Sequence, residues 1–184
     1  MINNKKKAHG QDIDEMIHTL KKADAENAKL AKNMQYLYFS LTIFYVFYMF
    51  FLFFRNNYAI NYLIGGGFFL ITFTIFMLFF KKSSAENSQI NYAMPVLSLL
   101  KAAAKRYKIL HPKIVWIFLG ILFTALGIYF LSVDYKFVTE IQFLYWGLVV
   151  LSLIIGLIVY YVKYKPIHDN LVQMIKEIEE GKNH

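Results

Sequence analysis

QYLYFSLTIFYVFYMFFLFF, residues 35–54, carries no charged side chain. At ~1.5 Å rise per residue such a run makes a helix of ~30 Å, the thickness of a bilayer's hydrocarbon core. Three more uncharged runs follow at 58–80, 114–132 and 141–162. A water-soluble domain of 184 residues has no use for four of them. The pattern predicts an all-α polytopic membrane protein with four transmembrane helices arranged as two antiparallel hairpins. The first apolar run begins only at Gln35 and is far too long for a signal-peptide core, so the first span is expected to be retained.

The segments outside the runs carry a different periodicity. Residues 1–10 are polar and basic and are expected to be disordered. From Asp12, apolar residues Ile13, Met16, Ile17, Leu20, Leu30 and Met34 recur at helical spacing, with Asp14, Glu15, Lys21, Lys22, Asp24, Glu26, Lys29 and Lys32 between them. With no Pro or Gly between Gln11 and Ile64, this helix should run unbroken into the first span, about 65 Å in all from Asp12 to Phe54. Arg55-Asn56-Asn57 then makes a tight turn. The connection 81–113 holds a second amphipathic helix, opened by Pro95 and ended by His111-Pro112. On it Val96, Leu99, Leu100, Ala103, Tyr107 and Leu110 form a stripe beside Lys101, Lys105, Arg106 and Lys108. Residues 163–184 make a third: after Pro166, Ile167, Leu171, Met174, Ile175 and Ile178 share one face. Its acidic residues Asp169, Glu177, Glu179 and Glu180 suit packing against the basic middle helix. The resulting divisions are a tail and amphipathic helix (1–34), a first hairpin (35–80), a connection (81–113), a second hairpin (114–162) and a C-terminal helix (163–184).

Charge sets the orientation. Of 20 Lys and Arg, seven precede the first span, seven lie between the second and third, and four follow the fourth. Only Arg55 and Lys136 fall in the other two loops, so both termini and the long connection are expected in the cytoplasm. This also accounts for most of the net charge of +8 without invoking nucleic acid. Tyr36, Tyr58, Trp116, Tyr145, Trp146, Tyr160 and Tyr161 near the run ends fit interfacial belts.

Small residues suggest where spans touch. Gly65-Gly66-Gly67 in the second run marks a packing notch, or else an unwound ligand site. Gly120 and Gly127 share a face of the third, and Ser152 and Gly156, with Gly147 nearby, form a small-residue pair in the fourth. These predict close packing of the third and fourth spans, with each other or across a dimer. The segments 21–34 and 81–94 share Lys-Lys, Ala-Glu-Asn and Met. The first precedes a span and the second follows one, so the likeness is read as coincidence rather than duplication.

The chemistry is sparse. No Asp, Glu, Lys, Arg or His lies in a span, which argues against a proton-coupled transporter. Ser40, Thr42, Asn61, Thr72, Thr74, Thr124 and Ser152 suit bonding within or between helices. His9, His18, His111, His168 and His184 form no H-x-x-x-H pair, the chain has no Cys, and no glycine loop is followed by Lys-Ser/Thr. Neither a metal nor another cofactor is expected. His168-Asp169 lacks a nucleophile beside it. The expectation is therefore a non-enzymatic protein with a cytoplasmic docking or self-association module. Its candidate contacts are Ile13, Ile17, Leu20, Leu30, Lys101, Lys105, Arg106 and Lys108. Expected partners are the lipid bilayer and its anionic headgroups, a second copy, and a cytoplasmic protein. A homo-oligomeric channel or small-solute carrier is the alternative.

NYAMPVLSLLKAAAKRYKIL, residues 91–110, resembles the connection between span pairs in a family of small four-span inner-membrane proteins from Bacteroidota. Tyr92, Pro95-Val96, the alanine run and Arg106-Tyr107 carry the likeness. It implies the same fold and topology in a bacterial inner membrane, and transfers no activity and no functional residue.

Overall fold

The computed structural model describes residues 2–54, 60–108, 114–133 and 138–181. The turn expected at Arg55-Asn56-Asn57, the break at His111-Pro112 and residues 134–137 of the loop before the fourth span lie outside them. Every element among the described residues is helical: α1 (Ile2–Phe54), α2 (Ile60–Ser88), α3 (Val96–Arg106), α4 (Ile114–Ser132), α5 (Val138–Val159), a π-helical turn (Tyr160–Tyr164) and α6 (Lys165–Gly181). Four helical stretches are long and apolar enough to cross a membrane: Ile13–Phe54, Ile60–Ser88, Ile114–Ser132 and Thr139–Glu180.

Three boundaries differ from expectation. The helix of α1 starts at Ile2, ahead of Asp12, because Gly10 is the only weak helix former in that stretch and Pro is absent from it. α2 continues past Lys81-Lys82 to Ser88, since nothing in SSAENS forces a stop. Pro166 stands in the first turn of α6, but no break precedes it: α5, the π turn and α6 run on as one helical stretch, Thr139–Glu180. Proline lacks an N–H, and its ring crowds the carbonyl four residues back. The π turn just upstream relieves this by lengthening the bond, so that the Lys165 N–H donates to the Tyr160 carbonyl five residues back.

The chain forms two compact units. One gathers Ala31–Ser83 and Pro112–Leu157, the other Met1–Leu30, Ser84–His111 and Ile158–His184. In the first, α2 packs on both α1 and α4. The Tyr38 ring meets Phe76 and Phe80 with centroids 5.1 and 5.7 Å apart, Tyr45 meets Phe69 at 5.7 Å, and Met49 fills the notch at Gly66. Partners fall in number along α2 as they rise along α1, so the two helices run in opposite directions. Toward α4, a Cβ on Gly65 would stand 2.9 Å from the Gly127 carbonyl, and one on Gly127 3.2 Å from the Gly65 carbonyl. Gly120 accepts the Phe76 ring, and Phe68 stacks on Phe123 and Phe130 at 5.9 and 5.6 Å. The glycines of α4 thus face α2, where the rings of Phe69 and Phe76 take the space, and not α5, one of the two partners expected for them. α5 meets α4 through the Tyr145 hydroxyl, which donates to the Ile121 carbonyl at 2.7 Å. Around Gly67, Gly147 and Gly156 a Cβ would meet nothing within 4 Å, and the Ser152 hydroxyl bonds its own helix at Leu148.

The second unit has a small apolar core: Met16, Leu20 and Ala23 from α1, Leu100, Ala103 and Tyr107 from α3 and its end, and Leu171 from α6. Leu20, Leu99, Leu100 and Leu171 are fully buried. Each such leucine contributes roughly 1.5–3 kcal/mol relative to exposure. Ile167, Met174, Ile175 and Ile178 of α6 pack at its margin. A Lys101–Glu179 ion pair of 2.6 Å ties α3 to α6 across the edge.

Candidate functional site

Among the described residues Asp24 is the one charged residue of the largest fully buried side chains, 2% exposed. It stands four residues after Leu20 and eight after Met16, on the core face of α1. A carboxylate in such a place is tolerated only when its lone pairs are filled, and here three donors fill them. The Tyr107 hydroxyl donates to Oδ1 at 2.7 Å, and the Tyr92 hydroxyl and the Arg106 guanidinium donate to Oδ2 at 2.8 and 3.0 Å.

Each donor has its own support. Tyr107 caps the C-terminus of α3, its N–H bonded to the Ala103 carbonyl, and its ring stacks on Tyr164 of the π turn at 5.8 Å. Tyr92 lies in the connection ahead of Pro95, with the Lys21 ammonium 5.4 Å from its ring centre. Arg106 ends α3; its Nε is buried and has no hydrogen-bond partner among the described residues. Burial first, and then the bond to Asp24, push both phenols above the ordinary tyrosine range. They remain neutral donors through the physiological range.

Further bonds extend the clasp along α1. The Ser84 hydroxyl donates to the Ala28 carbonyl at 3.2 Å, and the Tyr164 hydroxyl to Asn27 Oδ1 at 2.8 Å. Lys163 pairs with Glu26 at 2.9 Å, and that hydrogen bond raises the lysine and lowers the glutamate. This exposed pair adds little stability. Segments 21–34 and 81–94, alike in sequence, therefore meet in space through Asp24–Tyr92 and Ala28–Ser84.

The cluster ties α1 to α3 and to the connection ahead of it, and Asp24 is bonded on both oxygens. Among the described residues no three His, Asp or Glu side chains gather as a metal site would require. His168 Nδ1 lies 3.3 Å from the adjacent Asp169 at the surface.

The contacts singled out in the sequence are scattered by the fold. Leu20 is fully buried, so it holds the unit together and offers nothing to a partner. Arg106 is occupied by Asp24, and Lys101 by Glu179. Lys105 and Lys108 are exposed, Leu30 is 56% exposed, and Ile13 and Ile17 are half-buried. Beside them a cleft of about 350 Å³ opens between α1 and α6, lined by Glu15, Met16, Thr19, Ile167, Asn170 and Met174 among others. Asp24, Tyr92 and Tyr107 were not singled out as a site in the sequence. The available signal was Asp24's place four residues after Leu20, on the apolar stripe.

Comparison of the chain with protein-family models, curated proteins and solved structures gave no match.

Proposed function

We propose that this chain is a non-enzymatic protein of a bacterial inner membrane, with four spans in two antiparallel hairpins and both termini cytoplasmic. Its amphipathic segments form a docking and self-association module. The observation that carries this reading is the Asp24 clasp. A buried carboxylate bound by three donors from another part of the chain makes the module a defined body. A buried polar network of this kind favours one arrangement over its competitors. A defined body outside the membrane that has a cleft suits recognition.

The cleft between α1 and α6 supplies the surface. Met174 suits adaptable apolar contact, and Glu15 gives one polar rim. The open glycines Gly147 and Gly156 on α5 fit a second copy within the membrane. A dimer is thus the favoured assembly. The channel reading has less support, because Leu131 and Met49 fill the space beside Gly65 and Gly66.

Two differently tagged full-length copies, co-expressed and extracted in mild detergent, test the module. Deleting residues 1–30 would remove Leu20 and Asp24 and with them the core, so surface changes are required. Ile13→Glu with Ile17→Glu is expected to abolish co-purification while leaving membrane insertion unchanged. Undiminished co-purification would refute the docking role.

A further inference from the structure

The basic middle helix has only two of its four cations to offer a lipid headgroup, since Arg106 and Lys101 are held by Asp24 and Glu179. Another cation is better placed. Lys82 lies just past the apolar run of α2, and Trp116 is the third residue of α4. With Leu78 and Phe79 they line a single cleft of about 110 Å³. Both residues mark the boundary where an apolar run meets charged sequence, on the lysine-rich side of the spans.

We infer that this cleft binds an anionic phospholipid, with the Lys82 ammonium and the Trp116 indole N–H on its phosphate and an acyl chain against Leu78 and Phe79. Four features favour that occupant. Lys82 is exposed, and among the described residues neither its ammonium nor the Trp116 indole has a hydrogen-bond or ion-pair partner. Leu78 and Trp116 are 48% and 44% exposed, so the apolar wall is open to whatever surrounds the helices. The cleft is too small for a typical solute, whose pockets run to ~300–1,000 Å³, yet it can seat a few methylenes of a chain. A cation beside an apolar slot at the membrane boundary suits a net-negative headgroup with its tail better than a zwitterionic one, whose own ammonium opposes the lysine, or a free anion, which has no chain for the slot.

The inference rests on the spans lying in a bilayer, and the test separates the two. The chain has two tryptophans, so Trp146→Phe leaves Trp116 as sole reporter. The full-length variant is reconstituted in phosphatidylcholine vesicles containing a minor fraction of phosphatidylglycerol, with bromine on the acyl chains of one lipid or the other. Brominated phosphatidylglycerol should quench Trp116 about fivefold beyond its bulk fraction, the ratio equivalent to ~1 kcal/mol for one lysine at an anionic surface. Lys82→Gln should return quenching to the bulk fraction, and Lys101→Gln should leave the enrichment intact. Raised salt should weaken it. Quenching in proportion to bulk composition in the Trp146→Phe chain, or enrichment that survives Lys82→Gln, would overturn the site. An absence of quenching by either brominated lipid would instead overturn the membrane placement, and the site with it.

Discussion

At the scale of the residue, Asp24 decides most. Removing one partner of a buried charged pair leaves the other uncompensated, at roughly 3–5 kcal/mol. Asp24→Ala strands Arg106 and two hydroxyls together, so amide exchange across α3 should accelerate more than ~100-fold. Tyr107→Phe removes one bond to a charged group, about 1.5–3 kcal/mol, and should accelerate exchange less. Unchanged exchange in Asp24→Ala would deny the clasp its role. A pH dependence follows from the two phenols. Their folded values lie above the ordinary 10.0, so the folded chain keeps protons that the unfolded chain releases. The stability they contribute is complete below pH ~10 and is lost as pH rises beyond it. Melting temperature should fall above that point, and Tyr107→Phe should flatten the fall. Asp24 was hard to find in sequence because a carboxylate among Lys21, Lys22 and Glu26 looks like part of a solvated face. Its meaning depends on Tyr92 and Tyr107, 68 and 83 residues away.

At the scale of the element, glycines with the same sequence signature separate into two classes. Gly65 and Gly127 bring two backbones together, each facing the other's carbonyl. A backbone oxygen cannot step aside as a side-chain tip can, so Gly65→Ala should destabilise the membrane unit by ~1–3 kcal/mol. Gly67→Ala meets open space, and should be neutral or slightly stabilising through helix propensity. Thermal unfolding of the detergent-solubilised variants checks both. A Gly65→Ala chain as stable as the parent would mean that α2 and α4 do not approach this closely. Run length alone picked out the four helices long and apolar enough to cross a membrane, and 114–132 matches α4 to the residue, because uncharged length is a local property of the chain. Which span a glycine touches is not local. It depended on the phenylalanines of α2, whose rings had to find space on α4.

At the scale of the whole molecule, the distribution of cations is the strongest constraint on orientation. A lysine or arginine near a span end resists transfer, and Arg55 and Lys136 are the only two of the chain's 20 in the short loops. The three segments of the clasped unit, 1–30, 84–111 and 158–184, hold fourteen of those cations, although they are separated by the apolar runs in the sequence. They can share one core only if they lie on one side, so the Asp24 bonds to Tyr92, Arg106 and Tyr107 support the charge argument independently. The cysteine-free chain makes this directly testable, because any introduced thiol is unique. Ser98→Cys on α3, Asn170→Cys on α6 and Thr139→Cys at the start of α5 are all at exposed positions. In spheroplasts a membrane-impermeant maleimide should label Thr139→Cys alone, and in inverted vesicles Ser98→Cys and Asn170→Cys alone. Labelling of Ser98→Cys and Asn170→Cys from opposite faces would contradict more than the orientation. It would place two parts of one buried core on different sides of the bilayer, and the packing of Leu100 and Ala103 against Leu171 could not exist in the inserted protein.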